Sequence, residues 1–240
     1  MKSSLSRNLS FGIKVVLALA ISSSAHAQLG GLLGKKDAPG AAAVVDKDAF
    51  GLSLETAAGK VLTARLAFLD SQTKLMEALG LKTDSLAKAS EALRAKEGAS
   101  SKPGDKVAAM KDSAKVTAEA NKQFDEALAK SEGISDESKV KFAKGAGKFI
   151  EGVLLEKEQI EMVQKLAEQA KALTASANMM EKAKLLGMVK PATELALMVP
   201  GDVKEGFTTL GKIMKFAKKN NITEIPNAEK ATAGLGDLDK

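Results

Sequence analysis

The chain has 240 residues, 45% hydrophobic and 28% charged, with no Cys, Trp or Tyr, a single His and a formal charge of +6. It is long enough to bury a sizeable core without disulfides, and its charge surplus is too mild and too spread out to predict a nucleic-acid partner. Lys carries nearly all of the positive charge, and aromatic stacking platforms would have to come from Phe alone, which argues against base and sugar recognition.

Residues 1–27 have the three parts of a secretory signal peptide: basic Lys2 and Arg7, an apolar stretch from Phe11 to Ile21, and a small-residue end at Ala25, His26 and Ala27. Cleavage is expected before Gln28. The product would be periplasmic or secreted, because the apolar stretch is well under the ~20 residues that span a bilayer. Removal of Lys2, Arg7 and Lys14 leaves 33 bases against 30 acids, and only Arg65 and Arg94 remain as arginines. His26, the one histidine, leaves with the signal.

Residues 28–45 are rich in Gly and small apolar side chains and are read as a flexible leader. After Asp46, Leu54, Ala57, Val61, Ala64, Phe68, Gln72, Leu75 and Leu79 recur at helical spacing up to a terminating Gly80. A shorter helix is expected over 84–97, capped by Thr83 with Leu86 and Leu93 inward. The stretch 98–104 is a loop, and Val107, Met110, Ala114, Thr117, Asn121, Phe124 and Leu128 then mark a helix over 105–132.

Gly133, Ile134 and Ser135 form the next turn. Beyond them the longest pattern runs from Phe142 through Ala146, Phe149, Val153, Glu156, Ile160 and Val163 to Ala177, which predicts an unbroken helix over 136–190. Gly145, Gly147 and Gly152 on it would let a neighbouring backbone come close. Glu156 falls on the seam and is expected to be paired or to snorkel to the margin. Pro191 should open a new helix that Pro200-Gly201 ends, and Asp202 should cap a last helix reaching Lys219. Residues 227–240 read as a flexible tail.

The pattern predicts an all-α fold: an elongated antiparallel helical bundle with coiled-coil-like long helices over 46–226. Chemistry is hard to place on it. Ser-His and Cys-His pairs do not exist after export, di-iron sites need Glu-x-x-His, and no calcium or phosphate loop has the required spacing. Catalytic, cofactor and metal residues are therefore expected to be none.

The most asymmetric element is the last helix, with Val203, Phe207, Leu210 and Met214 on one face and Lys212, Lys215 and Lys219 on the other. This is the candidate membrane or partner face. The expected function is that of an exported, non-enzymatic interaction or structural protein whose partner is a protein or envelope component, its oligomeric state open. Two alternatives are a membrane-active protein that lays the basic C-terminal segment on anionic lipid, and a periplasmic holding chaperone.

Overall fold

The computed structural model describes residues 45–98, 100–130 and 133–236. The segment read as a signal peptide, and all but the last residue of the one read as a leader, lie outside the described residues. Among the described residues there are seven helices and no strand, so the all-α expectation holds: α1 (Lys47–Ala78), α2 (Asp84–Arg94), α3 (Pro103–Lys130), α4 (Asp136–Lys157), α5 (Ile160–Ser176), α6 (Met179–Lys219) and α7 (Ala228–Gly236).

The first helix is the centre of the fold. Asp46 caps it by accepting from the Asp48 amide at 2.8 Å. Gly80 ends it at φ +72°, where the amides of Gly80 and Leu81 satisfy the carbonyls of Glu77 and Met76. Its middle is buried over a broad face, through Val61, Leu62, Ala64, Leu66, Phe68 and Leu69, while Lys60, Thr63, Lys74 and Glu77 stay exposed on the remaining side. A buried face this wide needs several neighbours, and α2, α3, α4, α5 and α6 all pack on it.

The glycines of α4 set its distance from α1. A Cβ on Gly145 would lie 3.1 Å from the Leu75 amide nitrogen, and one on Gly152 would lie 3.2 Å from that of Phe68. Both pairs are seven residues apart, one ascending and one descending, so the two helices run antiparallel with their backbones in near contact. Phe68 and Phe149 stack across the same seam, ring centroids 4.6 Å apart. Gly152→Ala gains helix propensity worth ~1 kcal/mol but forces backbone apart, at about 1–3 kcal/mol. It should lower the urea midpoint. Gly59→Ala, where an added Cβ meets nothing within 4 Å, should raise it by the propensity gain alone.

Polar contacts give the direction of α3. Arg65 reaches Ser113, and Gln72 reaches Asn121, so α1 and α3 run parallel. Lys111 pairs with Glu194, Asn121 with Glu205 and Asp125 with Lys212, so α3 and α6 are parallel too. Although joined through 131–135, α3 and α4 pack on α1 and α6 and make little contact with each other.

The largest departure from expectation lies beyond Lys157. The long helix expected over 136–190 is three pieces. At Glu158 and Gln159 the chain keeps helical angles, but the Gln159 amide bonds the Glu156 carbonyl three residues back, which tightens the turn and separates α4 from α5. At Ala177 and Asn178 the backbone becomes extended. Asn178 accepts from the Glu181 amide while the Glu181 carboxylate accepts from the Asn178 amide, a reciprocal cap that starts α6 afresh.

From there α6 runs 41 residues through Pro191 and Pro200, both expected to bound separate helices. Each proline removes one backbone bond at about 3 kcal/mol. Burial of Pro191, Ala192, Leu195, Val199 and Val203 against the core offsets that cost. Asp202 is consequently an interior helix residue and not a cap. The helix stops as α1 does, with Asn221 at φ 54° and the Ile222 amide on the Ala217 carbonyl. Part of the segment expected as a flexible tail is α7, which packs on α4 and α6 and buries Ala231.

Candidate functional site

Four helices converge on a buried charged cluster. Arg65 of α1, its side chain 3% exposed, places its Nη1 3.1 Å from Asp202 Oδ2 of α6 and donates from Nε to Ser113 Oγ of α3 at 3.3 Å. Glu156 of α4 completes the group at 1% exposure, and neither of its carboxylate oxygens has a hydrogen-bond partner.

Burial dominates the electrostatics. Loss of water pushes the Glu156 carboxyl up from 4.5 to about 8, against the pull of the Arg65 charge and with a further push from Asp202. Asp202 is likewise raised by burial, opposed by Arg65. At neutral pH the cluster therefore consists of an Arg65–Asp202 ion pair beside a protonated Glu156, which leaves it without net charge. One guanidinium faces two carboxyls, and keeping a proton on the one that lacks a hydrogen bond is the cheaper solution.

One to two turns further along α1 a second polar chain crosses the core. Gln72 Nε2 donates to Asn121 Oδ1 at 2.6 Å, and Asn121 Nδ2 donates to Glu205 Oε1 at 2.7 Å. The two groups link α1, α3 and α6 at successive levels. They fix register, because a slip of any of these helices would bury an unpaired donor or charge.

The candidate face on the last helix is in the core. Val203, Phe207 and Leu210 are each at most 4% exposed, and Met214 is half-buried. Lys157 Nζ lies 5.7 Å from the Phe207 ring centroid. Lys212 pairs with Asp125 of α3, while Lys215 and Lys219 are exposed. In this conformation the apolar side of that segment is covered by the chain itself.

Glu156 was expected to be paired or to snorkel. It does neither, because it lies close to the end of α4 but turns inward, whereas Glu151, Glu158 and Glu161 stay exposed. Arg65, Ser113 and Asp202 were not expected at any site. The available signal was Arg65 itself, one of two arginines after residue 27, set within a helix of otherwise apolar spacing.

Two open grooves lie on the surface. One, of about 500 Å³, is lined by Lys74, Glu77, Lys144, Lys148, Glu151 and Asn227. The other, of about 550 Å³, contains Asp70, which is held by Arg94 and accepts from Ser90 Oγ at 2.9 Å, tying α2 to α1. Among the described residues no group of three or more Asp, Glu, His or Cys side chains is placed to hold a metal ion, and no helix is long and apolar enough to cross a membrane. No family model matches the chain, no curated protein matches it, and no solved structure matches it.

Proposed function

We propose that the chain is an exported, non-enzymatic protein of the bacterial envelope or secreted space that acts by binding a protein or another envelope component. In this reading the helices form an elongated antiparallel bundle with coiled-coil-like long pairs, and α6, about 60 Å long at ~1.5 Å per residue, is its longest rod.

The observation that carries the reading is where the unusual ionisable groups go. Arg65, Asp202 and Glu156 are spent on joining helices to one another, with the oxygens of Glu156 sealed from solvent. A carboxyl poised near neutral pH is ordinarily a mark of catalysis. Here its oxygens are buried and have no hydrogen-bond partner among the described residues, and the groups beside it are already paired with one another, Arg65 with Asp202 and Ser113. What faces outward is Lys and Glu, some of it paired along the helix surface as in Lys115–Asp112, Lys122–Glu119 and Lys130–Glu126. A charged face of this kind would act on a partner of complementary charge by steering its approach and fixing its register.

Fractionation of producing cells with N-terminal sequencing tests the export half. The expected product begins at Gln28 and is found in the periplasm or medium; full-length chain in the cytosol would overturn it. Crosslinking in intact cells tests the binding half, with a discrete partner adduct expected.

A further inference from the structure

Three of the four large apolar side chains that α6 leaves exposed are on the side opposite the core, and the fourth, Met180, lies about a quarter-turn away. Leu185, Pro191, Ala192, Leu195 and Val199 are buried, whereas Met179, Leu186 and Leu197 are 88%, 60% and 75% exposed. At 100° per residue, Met179, Ala183, Leu186, Lys190 and Leu197 fall within about 60° of one another, and the buried set is centred on the other side. The stripe extends about 27 Å along the helix axis. Single exposed apolar side chains are ordinary on a protein surface, but three large ones sharing the outward face of one helix, with lysines between and beside them, form a strip that a partner surface can cover.

Charge identifies the cover. Lys182, Lys190 and Lys204 lie on or beside the stripe and have no ion-pair partner among the described residues. The nearby acids are committed, Glu181 to the cap of α6 and Glu194 to Lys111. A second copy would bring the same uncompensated lysines against these, at a cost in repulsion. An anionic surface would neutralise them while accepting methionine and leucine into its apolar margin.

We propose that this outer stripe of α6, Met179, Leu186 and Leu197 with Lys182 and Lys190, is a contact surface for anionic lipid. It moves the membrane-facing segment away from Val203, Phe207 and Leu210, which the core already occupies, and needs no opening of the fold. The proposal rests on the export reading only for where such a membrane would be met.

Because the chain contains no Cys, single cysteines introduced as Met179→Cys, Leu186→Cys, Leu197→Cys and, as a control on the exposed side of α2, Lys88→Cys take an environment-sensitive dye at one position each. The full chain is mixed with phosphatidylglycerol–phosphatidylcholine vesicles carrying nitroxide lipids. Quenching is expected at 179, 186 and 197, but not at 88, and should weaken at high salt. The triple variant Met179→Gln, Leu186→Gln, Leu197→Gln should lower vesicle partitioning about tenfold or more. Reporting by position separates the stripe from any contribution of the N-terminal segment, which all variants share.

No quenching at the three positions would overturn the proposal, as would equal quenching at 88 or indifference to lipid charge. So would a dimer in sedimentation, without lipid, that the triple variant dissolves, since a second copy would then cover the stripe. Purified protein and vesicles supply these answers whatever cell fractionation says about export, so the two readings fail separately.

Discussion

Arg65→Met is expected to lower the unfolding free energy by about 3–5 kcal/mol, the usual cost of removing one partner from a buried ion pair. The guanidinium is 3% exposed and serves Asp202 and Ser113 at once. Without it Asp202, whose side chain is only 15% exposed, must either keep its charge unpaired or take up a proton. Glu156 also loses the one charge that favours its ionised form. Urea unfolding at pH 7 measures the loss. The double variant Arg65→Met, Asp202→Leu should recover most of it, because an apolar pair of similar volume removes both the charges and the desolvation cost. A loss below ~1 kcal/mol in the single variant would mean the pair behaves as a surface ion pair and is not buried at the junction.

The second large effect is a dependence of stability on pH with a sign opposite to that of most carboxylates. Glu156 is raised from 4.5 to about 8 in the folded chain, so between those values the folded state holds a proton that the unfolded state has released. Stability from this group is fully present below pH 4.5, falls as pH rises through the window at up to ~1.4 kcal/mol per pH unit, and levels off above 8. The upward displacement of Asp202 acts in the same direction. Glu156→Gln removes the larger contribution. The variant should be more stable than the parent at pH 8, by about 1–4 kcal/mol, and the difference should shrink toward pH 4.5. Equal slopes for parent and variant in urea titrations from pH 5 to 9 would rule out the displaced carboxyl.

These two variants also show what a one-dimensional pattern conveys and what it hides. Helix composition and much of the packing were legible: Leu54, Ala57, Val61, Phe68 and Leu75 are at the core as their spacing requires, and Gly145 and Gly152 do permit close backbone approach. Stripe counting on α3 placed Ala114 inward, but Ser113 takes that position because Arg65 needs an acceptor there. Periodicity assigns one narrow face to a helix, so it could not foresee how wide the buried face of α1 is or that Arg65 points into the protein. Nor could it bring Glu156 beside residues 91 and 46 positions away in the chain.

The breaks beyond Lys157 failed for a different reason. Proline and glycine were given their usual weight as helix breakers at Pro191 and Pro200-Gly201, but packing of Leu195, Val199 and Val203 carries α6 across both. The real boundary at Asn178 had a readable signature, an Asn followed three residues later by Glu, hidden inside an alanine-rich stretch that continued the helical period. The signal at 158–159 was weaker, since Glu158 and Gln159 keep helical angles and carry no breaker. For the candidate site, the last helix was correctly seen to be amphipathic. Its apolar face was open to a partner on paper only, because nothing local tells a face covered by its own chain from one awaiting another molecule.

The central claim is that the ionisable groups best suited to chemistry are enclosed and bind helix to helix. Following the Glu156 side-chain carboxyl carbon by ¹³C NMR across pH 3 to 10 in the folded protein tests it most directly. The account predicts a midpoint near 8, about where burial beside Arg65 and Asp202 sets it; a midpoint near 4.5 would put the carboxyl in water and contradict the four-helix junction.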